Sequence, residues 1–136
     1  MNSALRKLVR RRAGTRCEYC LVDELDRLLT YHVEHIIARK HGGADIPKNL
    51  CYSCRDCNHA KGSNLAGYWR GQIVALFNPR RQSWSRLFWW NGPRLVGRTL
   101  IGKVTVNVLN INDDERVKMR AALIAEGRFP PANEND

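Results

Sequence analysis

No stretch of this chain approaches the roughly 18 consecutive apolar residues that a membrane-crossing helix needs, and the N-terminus carries no signal-like apolar run. Both absences lead to the expectation of an intracellular protein with no membrane partner. Acid is also scarce. Asp and Glu total 13 against 23 Lys and Arg, a formal charge of +10 with a pI near 9.9, which favours a polyanionic partner, nucleic acid first. There is no internal repeat, and low complexity is confined to the polar tail. At 43% hydrophobic and 26% charged residues the composition excludes disorder throughout. With 136 residues, one domain over 1–136 is expected, with a core at about 14–64 and a C-terminal extension at about 65–130.

Local patterns divide the chain. Ser3 is placed to cap a first helix with Leu5, Leu8 and Val9 on its apolar stripe, a basic opposite face and Gly14 at its end. Leu28 to Ile37 reads as a strand, with His35 and Glu34 on opposite faces unless a bend or bulge intervenes. A loop over Ala38–Asn49, a short strand at Leu50–Ser53 and a helix from about Asp56 to Ser63 follow. Further on, the pattern predicts a strand at Gln72–Phe77 and a hairpin over Phe88–Val96 turning at Asn91-Gly92, with Pro93 confining the return strand to an edge. Thr99–Leu109 fits both periods and leans to helix. The final helix starts in a capping-box-like Asn112 to Glu115, places Val117, Ala121 and Ile124 on one face and stops at Gly127 with Pro130 and Pro131.

The five cysteines make an odd count that fits four ligands and a spare better than disulfides. Cys17-x2-Cys20 and Cys54-x2-Cys57 are two turns able to grip one tetrahedral zinc, closing its shell so that the metal is structural. Cys51 leaves a second pairing open, because Cys51, Cys54 and Cys57 overlap as C-x2-C-x2-C. Cys54 with Cys57 is preferred since Asn58 then follows the knuckle directly, with Cys51 a small buried residue. A redox use of these pairs predicts a βαβ setting that the pattern lacks.

The segment HVEHIIARKHGGADIPKNLCYSCRDCNHAKG resembles the HNH, or ββα-metal, endonuclease family. The resemblance rests on Glu34-His35-Ile36, Gly42-Gly43, Asn49-Leu50 and Cys54-x2-Cys57-Asn58-x2-Lys61-Gly62. RAGTRCEYC, FNPRRQSW and GRFPP extend it towards small stand-alone bacterial members. It implies an α+β fold: a ββα-metal core stapled by structural zinc, with an N-terminal helix and a C-terminal hairpin plus helices. It further implies a cytoplasmic protein of a prokaryote or phage that cuts DNA, leaving 5′-phosphate and 3′-hydroxyl ends. In that carry-over His35 is the general base, a role suited to an imidazole that titrates near neutrality. Glu34 and Asn58 hold one catalytic divalent ion, Mg²⁺ first and Mn²⁺ or another as alternatives. Asn49 fixes the loop and the His35 ring through hydrogen bonds.

Two positions depart from the family pattern: Glu34 stands where Asp is frequent, and Ala60 where a polar residue is frequent, with His59 beside Asn58 instead. His32 is a candidate supporting metal contact, while His41 and His59 are candidate phosphate contacts or solvated residues. Taken singly, each of these residues has an ordinary structural explanation. Arg39, Lys40, Lys61, Arg80, Arg81 and Arg86 surround the motif with positive charge, and Trp84, Phe88, Trp89 and Trp90 are read mostly as core. Nothing resembles a base-reading helix, so weak sequence preference is expected. The competing reading is a zinc-containing nucleic-acid-binding module without catalysis.

Overall fold

Helix α1 (Ser3–Arg12) is capped by Asn2, whose side chain accepts from Leu5 N, and not by Ser3, which lies inside the first turn. An Asn just outside the helix offers its carbonyl to the orphan amides more directly than a residue already in it. Val9 is the buried contact of α1, while Leu8 stays largely exposed. Arg12 ties the helix to the core by donating to Leu50 O at 2.6 Å. The computed structural model describes residues 1–27 and 30–132, so the Leu28 and Leu29 part of the expected strand lies outside the described residues.

Strand β1 is shorter than expected, His32–His35, and pairs antiparallel with β2 (Leu50–Ser53) in the register His32↔Ser53 to His35↔Leu50. The ladder runs through without a bulge. Helix α2 (Arg55–Lys61) follows, with Cys54 as its N-cap accepting from Cys57 N. This β-β-α order, with the four-cysteine cluster behind it, is the α+β core implied by the resemblance.

The extension adds β3 (Ala66–Trp69) and β4 (Gln72–Ala75), then α3 (Trp84–Leu87), β5 (Phe88–Asn91), β6 (Arg94–Gly97), α4 (Leu100–Val108) and α5 (Asp114–Ala125). Strand β3 escapes a periodicity reading because Gly67 interrupts its apolar run. That glycine is demanded by packing, since a Cβ there would stand 2.6 Å from both Val104 and Val108 of α4. The second hairpin turns at Gly92-Pro93, one residue later than expected; with Pro93 in the turn, its missing N–H costs the ladder nothing. The ambiguous segment is a helix capped by the Thr99 hydroxyl. One hydrophobic cluster runs from Val9 through the cysteines to Phe77, Phe88, Leu95, Leu109 and Phe129, so core and extension share an interior. Trp84 and Trp90 are half-buried and stacked, whereas Trp89 is exposed.

Helix α5 corrects its expected face. The buried positions are Arg116, Arg120 and Leu123, not Val117, Ala121 and Ile124. Arg120 is wholly buried, donating to Pro93 O at 2.8 Å and Ile111 O at 2.7 Å and lying over the Trp90 ring. A planar guanidinium can enter a core when carbonyl oxygens and an aromatic face receive its donors.

Candidate metal centre and active-site cleft

The two knuckles meet as the spacing requires: the sulfurs of Cys17, Cys20, Cys54 and Cys57 are all buried and within 4.8 Å of one another. Sulfurs bound tetrahedrally at zinc–thiolate distances lie about 3.8 Å apart, and Cys20 Sγ stands 3.8 Å from Cys54 Sγ. The donor set therefore fits a structural zinc. Backbone amides of Cys20 and Cys57 point at the first sulfur of their own knuckle, at 3.5 and 3.4 Å. Hydrogen bonds from Cys17, Cys54 and Cys57 pull the Cys20 thiol well below its ordinary range, while burial pushes Cys17 and Cys57 well above theirs, so four thiolates together need the charge of a bound cation.

Cys51 stands apart from that set. Burial pushes its thiol well up, and it contacts Tyr19 Oη and Glu34 Oε1, each at 3.4 Å. It is the spare cysteine, and its place on β2 opposite Glu34 gives it a neighbour that the spacing did not reveal.

A cleft outside the thiol cluster is lined by His32, Glu34 and His35 of β1 and by Asn58 and His59 of α2, with Arg6 and Arg39 at its sides. Residues from both faces of β1 reach it without any bulge. Glu34 is the buried member. Burial raises its carboxyl, with Lys61, Tyr19, Cys51 and His35 acting in the opposite direction. A buried carboxylate beside a thiol and a phenol, in a cleft that also presents the Asn58 amide, suits a hard divalent cation.

His35 is partly exposed, and its Nε2 lies 2.6 Å from Asp45 Oδ1. Asn49 makes no bond to that ring. Its Oδ1 accepts from Ile37 N at 2.9 Å, and its Nδ2 donates to Ile37 O and Ala44 O, each at 3.0 Å, so it fastens the Ala38–Asn49 loop to the chain just beyond His35. Gly43 sits in the same staple, and a Cβ there would collide with the Ile37 carbonyl and press on the Asn49 amide.

Lys61 is not a free phosphate contact. It is 2% exposed and donates to Ile36 O at 3.1 Å and His35 O at 3.3 Å, holding the end of β1 against α2. Arg80 is likewise taken up, by Glu18. Arg39, Lys40, Arg81 and Arg86 remain exposed, as do His41 and His59. Two residues escaped the sequence reading. Asp45 sits in a loop of turn-forming residues, where an acid has an ordinary explanation. Arg116 lies on a helix and reads as solvent-facing, yet its Nη2 donates to Cys57 Sγ at 2.9 Å and its Nη1 to Leu109 O at 2.7 Å.

No curated protein and no solved structure matches the chain. Cleft and thiol cluster alike are built mainly from residues 17–64, the segment that matches the family model described as HNH endonuclease.

Proposed function

We propose that the protein is a metal-dependent endonuclease that hydrolyses DNA phosphodiester bonds, with His35 as general base and Glu34 and Asn58 as the holders of one divalent ion, Mg²⁺ or a similar hard cation. The observation that carries this reading is that one cleft collects His35, Glu34 and Asn58 from β1 and α2 beside a separate, closed thiol cluster. His35 would take the proton of the attacking water, being an imidazole at the partly exposed end of a strand. When bound, the ion supplies neutralisation of charge growing on the phosphate and the leaving 3′ oxygen. Asn49 and Lys61 act through other groups, the first by stapling the following loop and the second by fixing the carbonyls of His35 and Ile36. Exposed Lys40, Arg81 and Arg86 supply contacts to the polyanion. Products with 5′-phosphate and 3′-hydroxyl ends follow from attack with loss of the 3′ oxygen.

The test is conversion of supercoiled plasmid by the zinc-loaded protein with Mg²⁺, with chelator, and as His35→Ala. Nicking should require the ion and fall by about 10² to 10⁴ in the variant, the usual contribution of a general base. Salt-sensitive DNA binding with no cleavage of plasmid or single strands would instead make the protein a binding module.

A further inference from the structure

The geometry points to Asp45 as the positioning residue of the proposed reaction: it fixes the His35 ring with Nε2 protonated and leaves Nδ1 as the nitrogen that takes the proton. This rests on the endonuclease reading above and names a member of the same site.

An ionised carboxylate can only accept hydrogen bonds. Hydrogen bonds from His35 and Arg39 hold the Asp45 carboxyl below its ordinary range, so it is ionised at neutral pH. The 2.6 Å contact must therefore have Nε2–H of His35 as donor to Asp45 Oδ1. A neutral imidazole carries one ring proton, so Nδ1 then bears the lone pair. The second nitrogen of a working histidine is commonly set in this way by the hydrogen bond that its first nitrogen makes.

The carboxylate is itself held. Arg39 donates through Nη2 to Asp45 Oδ2 at 2.7 Å and through Nε to Oδ1 at 3.3 Å, a two-pronged grip that sets the plane of the acid. The loop is fastened on the other side, because Asn49 Nδ2 bonds the carbonyl of Ala44, next to Asp45, and that of Ile37, two residues beyond His35. Asn49 thus reaches the histidine indirectly: it clamps the loop that carries Asp45, and Asp45 holds the ring. In a protein of charge +10, an exposed carboxylate beside a DNA cleft works against binding. Its position is explained by what it does to His35.

The experiment uses the zinc-loaded full chain and two variants, Asp45→Ala and Asp45→Asn. Imidazole ¹⁵N spectra should show His35 protonated at Nε2 in the wild type. Asp45→Asn, whose amide oxygen can still accept, should keep that tautomer, and Asp45→Ala should lose it. Plasmid nicking should fall in kcat by about ten- to a hundredfold in Asp45→Ala, and less in Asp45→Asn. DNA affinity should hold or tighten in both, because a negative charge has been removed. A tautomer unmoved by Asp45→Ala, or kcat unchanged in a wild type that nicks, overturns the role of Asp45. A wild type that holds the tautomer yet cuts nothing overturns the endonuclease reading, and with it the part of Asp45 in cutting.

Discussion

Glu34 shows how one residue can be costly to the fold and useful to the site. Its carboxyl is pushed up by burial, which means that the folded chain resists keeping it charged. For an acid with a raised folded pKa, stability is largest below the unfolded value and declines as pH rises through the folded one. At neutral pH the ionised side chain is therefore a burden that a bound cation would relieve. Glu34→Gln, with nearly the same shape and no charge, should raise Tm by a few degrees in divalent-free buffer at pH 7. The gain should shrink on acidification, as the wild-type carboxyl protonates, and the variant should lose cleavage. Thermal unfolding from about pH 4 to 8 checks this, and a variant less stable than wild type at pH 7 would contradict it. The resemblance marked Glu34 as an ion holder in the sequence, but its burial, and the burden that follows from it, were not visible there.

Among the elements, α5 is the one whose role the pattern misjudged. Its apolar positions suggested an aliphatic face, but Arg116 and Arg120 enter the interior because unpaired carbonyls and a thiol cluster wait for their donors. Burial works against the charge of Arg116, and the thiols of Cys57, Cys20 and Cys54 more than offset it, leaving its guanidinium above its ordinary value. Four thiolates around one divalent ion carry net negative charge, so a guanidinium on Cys57 both satisfies a sulfur lone pair and balances that charge. Arg116→Met should weaken zinc retention by about ten- to a hundredfold, the usual effect of removing a partner of a metal ligand. Competition against a chromophoric chelator measures it; equal zinc affinity would mean that Arg116 only joins α5 to the core. Strand β3 and helix α4 make the same point from the packing side: Gly67 weakens the strand signal because the valines of α4 occupy the space of its side chain.

For the whole molecule, excess positive charge is a property of the surface. Lys61, Arg80, Arg116 and Arg120 are withdrawn into bonds with the protein itself and Arg39 is exposed but paired with Asp45, while Lys40, Arg81 and Arg86 stay exposed to meet phosphate. A protein closing on about six phosphates loses about a thousandfold in affinity between about 50 and 200 mM salt. Fluorescence anisotropy with duplex DNA should show a steep decline of that kind for wild type and His35→Ala alike, since His35 is assigned to chemistry. Affinity indifferent to salt would argue against a backbone-reading cleft. No helix among the described residues is long and apolar enough to cross a membrane.

What the sequence determined by itself was local. Two C-x2-C turns, the Glu34-His35 pair and Asn58 directly after a cysteine are short-range arrangements, and such spacing is enough to specify a knuckle or a motif. The tertiary structure decided which charges are buried and what each functional side chain leans on. Arg116 and Cys57 lie 59 positions apart, and Asp45 meets His35 only because Asn49 folds the loop back onto Ile37. Hydrophobic period and cysteine spacing are written along the chain. A partner for a charge is supplied by segments that the fold alone brings together.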